Sequence, residues 1–333
     1  MHNYLSFMKT VGSMPTSARI KKILIHCLCK CDCAEKILYL AFFCCYAIIN
    51  TECLLYAYYI LFHDIIRHKA VVILKRKILK ISIIAGSVIL AFCIAFFILV
   101  WNGVFILNSF HADNYDIKGV DVSAYQGEID WNVLSSQNIS FAFIKATEGS
   151  SFVDQNFAYN FEEAQKTSLA IGAYHFFSYD SDGKTQAENF INTVVPFEGM
   201  LPPVIDLEFY GDKEKYPPDR TDVEKQLKTM LDMLETHYGQ KPVIYATEKS
   251  YELYLSDDYE EYDIWIRNVI SRPELSDERT WTFWQYTNRD RLEGYNGEEK
   301  YIDVNVFNGS REDYNSYLEN NAYKPLAHEV SNP

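Results

Sequence analysis

Beyond residue 93 the chain contains no cysteine. All eight, Cys27, Cys29, Cys31, Cys33, Cys44, Cys45, Cys53 and Cys93, lie at or before that point. The remainder therefore holds no disulfide framework, no thiolate metal site and no cysteine nucleophile. Histidine is sparse there as well: His111, His175, His237 and His328 are widely spaced, and no HExxH run occurs. No metal and no cofactor are expected on that pattern. Neither GxGxxG nor GxxxxGK[ST] is present, which disfavours nucleotide chemistry. Basic residues are few after residue 100, with 19 Lys/Arg against 41 Asp/Glu, in a chain of net charge -14. So acidic a segment repels phosphate backbones, so nucleic acid is not an expected partner. Apolar material is not scarce. Hydrophobic residues make up 48% and charged residues 23%, which excludes a disordered or fibrous chain.

One apolar run is long enough to cross a bilayer. Residues 81–101 read ISIIAGSVILAFCIAFFILVW, and no charged residue occurs from Ile81 to Ala112. About 20 apolar residues span the hydrocarbon layer as a helix. Lys75, Arg76, Lys77 and Lys80 precede the run, and Asp113 and Asp116 follow it. The positive-inside rule places the basic flank in the cytoplasm and everything after Trp101 outside. An uncleaved anchor is expected over a signal peptide, because the run exceeds a usual h-region and no small-x-small site follows.

Residues 1–80 read as a cytoplasmic or partly membrane-embedded region. Ile37–Ile49 and Cys53–Phe62 are apolar but are split by Asn50, Thr51 and Glu52, so a second spanning helix is one reading. The other is that this stretch is a start-site artefact, with translation beginning near Val71 or Val72 from a non-Met codon, since no Met lies between Met14 and Met200. The alternating run Cys27-Leu-Cys-Lys-Cys-Asp-Cys33 lacks the CxxC spacing of zinc ligands.

After a linker at 102–118, strand-like runs alternate with helical ones through a domain expected at 119–318, followed by a tail at 319–333. Strands are expected at Gly119–Ser123, Phe141–Ala146, Ala170–Phe176, Pro203–Asp206, Pro242–Ala246, Asp263–Ile266, Thr282–Tyr286 and Tyr301–Val304. Helices are expected at Asn156–Thr167, Lys184–Val194 and Asp222–Tyr238, the last closed by Gly239. The alternation predicts an α/β fold, a parallel β/α barrel of the TIM type with eight strands and fewer helices.

The carboxylates fall at the ends of those strands: Asp121 on the first, Asp206 and Glu208 on the fourth, Asp303 on the last. In a parallel barrel such ends form one rim, where active sites sit. Residues i and i+2 on a strand point the same way, so Asp206 and Glu208 should face one pocket. Two like charges held close raise one pKa and produce a proton donor near neutrality. A lone D-x-E is ordinary surface acidity; four acidic strand ends with aromatics beside them are not. Tyr125, Tyr174, Phe176, Trp284 and Tyr286 supply flat faces of the kind that sugar rings stack on, with Gln126 and Asn305 as polar partners. For Phe176, Phe177 and Trp265, packing in the core is an equal expectation. Lys145 and Glu148 read as a structural ion pair at the rim.

Residues 119–312 resemble the lysozyme domain of glycoside hydrolase family 25, the Chalaropsis-type muramidases. The matching runs are Gly119-Val-Asp-Val-Ser-Ala-Tyr-Gln-Gly127, Ile129-Asp-Trp131, Phe141-Ala-Phe-Ile-Lys-Ala-Thr-Glu-Gly149, Gly172-Ala-Tyr-His-Phe176, Asp206-Leu-Glu208, Pro242-Val-Ile-Tyr245, Trp284-Gln-Tyr286 and Ile302-Asp-Val-Asn305. The chain departs from the family at Ile266-Arg267-Asn268, where an aromatic often stands. The resemblance implies an irregular eight-stranded barrel and cleavage of the β-1,4 bond from N-acetylmuramic acid to N-acetylglucosamine. It implies Glu208 as general acid/base, Asp206 as its partner, and Asp121 and Asp303 as supporting acids. The resemblance implies peptidoglycan glycan strands as a partner; the apolar run and its basic flank, which the resemblance does not cover, add the cytoplasmic membrane, with the catalytic domain expected outside the cytoplasm of a bacterium of the Gram-positive type. Two alternatives are a chitinase-like N-acetylglucosaminidase and an inactive wall-binding module. Because Asp206 and Glu208 leave the same strand end, a substrate-assisted route is expected over two carboxylates straddling the sugar.

Overall fold

A computed structural model describes residues 68–325. The expectations for residues 1–67, the second spanning helix and the cysteine run among them, lie outside the described residues. The chain divides into two units at Ala95/Phe96.

Helix α1, His68–Trp101, carries the apolar run. Its stretch Lys75–Trp101 has a mean hydropathy of 3.0 over the most apolar window and buries none of it in protein. At about 1.5 Å per residue, 81–101 alone matches the ~30 Å hydrocarbon layer. The helix starts ahead of the expected span because Lys75, Arg76, Lys77 and Lys80 are themselves good helix formers.

The second unit is built on a closed barrel. Its strands are β1 (Lys118–Val122), β2 (Phe141–Glu148), β4 (Ala170–Phe176), β5 (Val204–Leu207), β6 (Val243–Thr247), β7 (Ile264–Arg267), β8 (Phe283–Asp290) and β9 (Ile302–Phe307). A short β3, Phe152–Val153, folds back antiparallel onto β2. The barrel order is β1-β9-β8-β7-β6-β5-β4-β2, and the parallel β1–β2 pairing closes it. Seven of these strands run parallel, as expected. The last does not: β9 is antiparallel to both β1 and β8. The hairpin-like return from β8 leaves no helix between them, and a crossover is what a parallel pair requires.

Period-two alternation sorts the strand side chains into an inside and an outside. Ala142, Ile144, Ile205, Ile244, Ile266 and Val304 point outward into the larger core, under helices α4 (Phe157–Ala164), α5 (Gly183–Thr193) and α6 (Arg220–Tyr238). Phe141, Phe143, Val204, Val243, Phe283 and Phe307 point inward and fill the lower barrel. The C-terminal helix α8, Arg311–Asn321, adds Tyr314, Tyr317 and Leu318 to that inner cluster and so plugs the floor. Sequence patterning missed α8 because its surface is mostly polar, with one buried residue, Tyr314. The expected domain end at 318 therefore falls inside a helix. Ordered pairing continues to Tyr323, whose N–H bonds to the Met200 carbonyl at 2.8 Å.

Two further short helices were not anticipated: α3 (Trp131–Ser135), capped by Asp130, and α7 (Glu248–Tyr254), which opens with a Thr247/Ser250 capping box. The expected linker at 102–118 is also corrected. It contains α2 (Ser109–Ala112), and Asn108 is fully buried, donating to the Asn268 and Tyr286 carbonyls at 2.9 and 3.2 Å. Ala112 and Ile117 are buried too, so the segment is part of the fold.

Candidate active site

Above the apolar floor, the inward-facing side chains become polar and the barrel opens as a cleft of about 420 Å³. Asp121, Asp206, Glu208 and Asp303 all line it. Asp121 and Asp206 sit on parallel strands, β1 and β5, and Glu208 follows the end of β5. Asp303 reaches the same rim for a different reason than expected: it lies near the start, not the end, of antiparallel β9, directly opposite Asp121.

The Asp121 carboxylate is the hub of a buried network. Gln285 Nε2 donates to both its oxygens, at 3.0 and 2.9 Å, and to Asp303 Oδ2 at 3.3 Å. Asn305 Nδ2 donates to Asp121 Oδ1 at 2.7 Å. Both amides are oriented from behind. The Tyr245 hydroxyl donates to Gln285 Oε1 at 3.1 Å, and the Trp265 indole N–H donates to Asn305 Oδ1 at 2.8 Å. An amide whose oxygen is already taken by a donor must present its NH₂ to the carboxylate, so the network has one consistent polarity.

Burial raises the pKa of Asp121, but the Asn305 and Gln285 donors oppose it. Burial raises Asp303 much more, the Asp121 charge adds to it, and the hydrogen bond shared by the two carboxyls favours its protonated form. Asp206 is also pushed well up, by burial first and the Glu208 charge second. Its Oδ1 is sealed from solvent and has no hydrogen-bond partner among the described residues. Glu208 is raised by burial, with Arg267 and Lys145 pulling the other way. Burial thus favours the protonated form of each of the four rim carboxyls.

The other expected site residues divide into three groups. Tyr125, exposed at the rim, and the half-buried Tyr174 and Phe176 line the cleft. Gln126 and Asn305 are buried with their amides committed within the protein. Gln126 donates to the Tyr301 carbonyl at 3.1 Å and accepts from the Ser123 N–H at 3.0 Å. Asn305 holds Asp121, as described. Trp284 and Tyr286 do not reach the cleft. They are buried in the outer core, Trp284 against Tyr115 and Trp281, with its indole N–H on the Asn268 carbonyl. Parity explains this: Gln285 between them faces inward, so both neighbours face out.

Sequence reasoning missed Tyr245, Gln285 and Arg267 as cleft residues, and left Trp265 open. The same parity rule finds them, since each lies two residues beyond an inward aromatic or aliphatic residue on its own strand. Trp265 forms part of the cleft floor, stacked on Phe143 with ring centroids 4.8 Å apart. The expected Lys145–Glu148 ion pair is present at 2.7 Å, and Lys145 also lies 4.8 Å from the Phe176 ring centroid. His175 is buried and bonded to Thr147 and Gln186, and burial lowers its pKa to about 4, so it is a neutral core residue.

Comparisons with known proteins point to one family. The sequence profile of glycosyl hydrolases family 25 matches residues 120–295, just over half the chain. A family 25 glycosyl hydrolase structure from Bacillus anthracis is 60% identical, covering 62% of this chain and 94% of its own, with a TM-score of 0.59. A bacterial lysozyme structure from Streptomyces coelicolor is 29% identical, covering 61% and 97%, with a TM-score of 0.55. Lysozyme M1 of Streptomyces globisporus is 32% identical over 213 residues, 60% of this chain and 70% of its own. Because that profile match covers more than half of the chain, running from β1 to beyond the end of β8, the chain belongs to glycosyl hydrolase family 25.

Proposed function

We propose that this protein is a peptidoglycan hydrolase, an N-acetylmuramidase that cleaves the β-1,4 bond from N-acetylmuramic acid to N-acetylglucosamine by a substrate-assisted route. The observation that carries the reading is the placement of Asp206 and Glu208, two residues apart at one strand end and lining one cleft. Glycosidases that use two carboxylates directly set them on opposite sides of the bond, ~5–5.5 or ~6.5–9.5 Å apart. Neighbours leaving one strand end cannot straddle a sugar ring. The 2-acetamido group of the substrate can supply the nucleophile itself. Its carbonyl oxygen attacks C1 as Glu208 protonates the leaving oxygen, giving an oxazolinium ion. Glu208 then takes a proton from water, which opens that ring with net retention of configuration.

Asp206 has the chemistry to hold the acetamido group. Its side chain lines the cleft that the sugar would enter. An acetamido N–H donated to this carboxyl favours its ionised form, which leaves the shared proton on Glu208, where protonation of the leaving group needs it. The charge on Asp206 then stabilises the oxazolinium. Asp121 and Asp303 act on the pair through their charge. Tyr125, Tyr174 and Phe176 supply ring faces for the glycan.

The apolar helix α1 would anchor this activity to a membrane, with Lys75, Arg76, Lys77 and Lys80 on the cytoplasmic side and the barrel outside.

Hydrolysis of purified sacculi, with analysis of the new reducing ends, tests the proposal. Muramic acid at the new ends is the expected result; glucosamine ends would replace the muramidase by a glucosaminidase. Glu208→Gln should lower kcat by about 10²–10⁴-fold, the usual worth of a general acid. De-N-acetylated glycan should bind but scarcely turn over. Its efficient cleavage, or a covalent adduct on Asp206, would overturn the substrate-assisted route.

A further inference from the structure

Arg267 ends β7 with inward parity and lines the same cleft as the four rim carboxyls. It is half-buried, and its side chain makes no hydrogen bond and no ion pair among the described residues. A guanidinium carries five N–H donors in a planar fork, shaped for two-point contact with a carboxylate. The other cation of the cleft, Lys145, is already paired with Glu148. Arg267 therefore holds the unspent cationic donors of a cleft that also contains Asp121, Asp206, Glu208, Glu299 and Asp303.

That imbalance bears on which sugar can enter. An anionic substituent meets five acidic side chains, and every one of them that is ionised repels it. It can bind only where a cation with free donors receives it. A muramyl residue differs from glucosamine by a lactyl ether, which ends in a carboxylate when no peptide is attached. We infer that Arg267 forms a carboxylate subsite in the cleft, reading the lactyl carboxylate of peptide-free muramyl sugars by a bidentate contact. This rests on the muramidase reading for the identity of the sugar; the demand for a carboxylate rests on the cleft alone. A stem-peptide carboxylate offers the same chemistry and is separated from the lactyl group by the test.

The test is binding, so it does not depend on turnover. Full-length protein carrying Glu208→Gln, in detergent micelles, is titrated calorimetrically with three glycans. These are a peptide-free muramyl tetrasaccharide, its lactyl methylamide, and the peptide-bearing form. The free carboxylate should bind roughly 10- to 100-fold more tightly than the methylamide, the range for a hydrogen bond to a charged group. Adding Arg267→Gln should erase that difference while leaving the methylamide affinity within about threefold, and Arg267→Lys should restore part of it. Tight, Arg267-dependent binding of the peptide-bearing form alone would place the carboxylate on the stem peptide. Equal affinities for all three glycans, or an equal loss on all three in Arg267→Gln, would overturn the subsite and leave Arg267 acting only on the acids. Wild-type protein that fails to cleave any of the glycans yet shows the affinity pattern would instead sink the muramidase reading and keep the subsite.

Discussion

The catalytic role proposed for Asp206 comes with a cost to folding. Its carboxyl is buried with an unpartnered oxygen beside Glu208, and its pKa stands well above the usual carboxylate range. In the unfolded chain it titrates near ~3.9. As pH rises past that value, the unfolded state releases its proton while the folded state retains it. The stability this group contributes is therefore present in acid and is lost as pH rises through its folded pKa. Asp206→Asn removes the titration and sacrifices no hydrogen bond at the sealed oxygen. The variant should be inactive yet gain on wild type as pH rises from 4 to 7, by about 1.4 kcal/mol for each pH unit over which the folded state alone keeps the proton. Calorimetric melting at both pH values reads this out, with about 2–4 °C per kcal/mol expected for a domain of this size. A wild-type–variant difference that stays constant with pH would show Asp206 to be an ordinary surface-like acid. The four rim acids were legible in the sequence because each stands in a compact motif at a strand terminus, although Asp303 lies at the start of its strand rather than at the expected end. The aromatics were less so. Trp284 and Tyr286 stand in an equally suggestive motif, but one residue of parity decides between cleft and core, and strand boundaries are not readable to one residue.

At the scale of elements, the parallel strands were legible from short apolar runs separated by helical patterns. The direction of β9 was not, because nothing local distinguishes the last strand of a parallel barrel from one that returns antiparallel. The polar α8 and the packed segment at 102–118 were missed for a related reason: their few buried residues carry no periodic signal. The barrel depends on one close approach that the motif does record. A Cβ at Gly119 on β1 would stand 2.3 Å from the Phe141 ring on β2. That ring is fully buried between Phe143, Phe283 and Tyr314, so it has nowhere to move. Gly119→Ala should cost about 1–3 kcal/mol, the usual penalty for overpacking, seen as a lower melting temperature. Because Gly119 lies two residues below Asp121 on the same face, kcat should fall as well. An unchanged melting temperature would mean that the lower barrel is looser than its packing indicates.

The whole chain joins two physical environments. Residues 81–112 carry no charge, while the following barrel holds most of the acidic residues. A barrel so acidic gains nothing from the cytoplasmic leaflet, whose anionic lipids attract basic segments instead. The basic cluster Lys75, Arg76, Lys77 and Lys80 does suit that leaflet, and it lies directly ahead of the span. Both flanks of the helix thus fit the proposed orientation, in which the barrel would lie outside the cytoplasm. Protease added to sealed protoplasts should remove the barrel and leave α1 with the membrane. The compact barrel itself resists cleavage, so the cut is expected between Trp101 and Asn108, ahead of the first fully buried residue of the segment. Lysis before protease treatment serves as the control, since it exposes both faces. A barrel that is protected in sealed protoplasts and released only after lysis would place it in the cytoplasm and remove access to the wall.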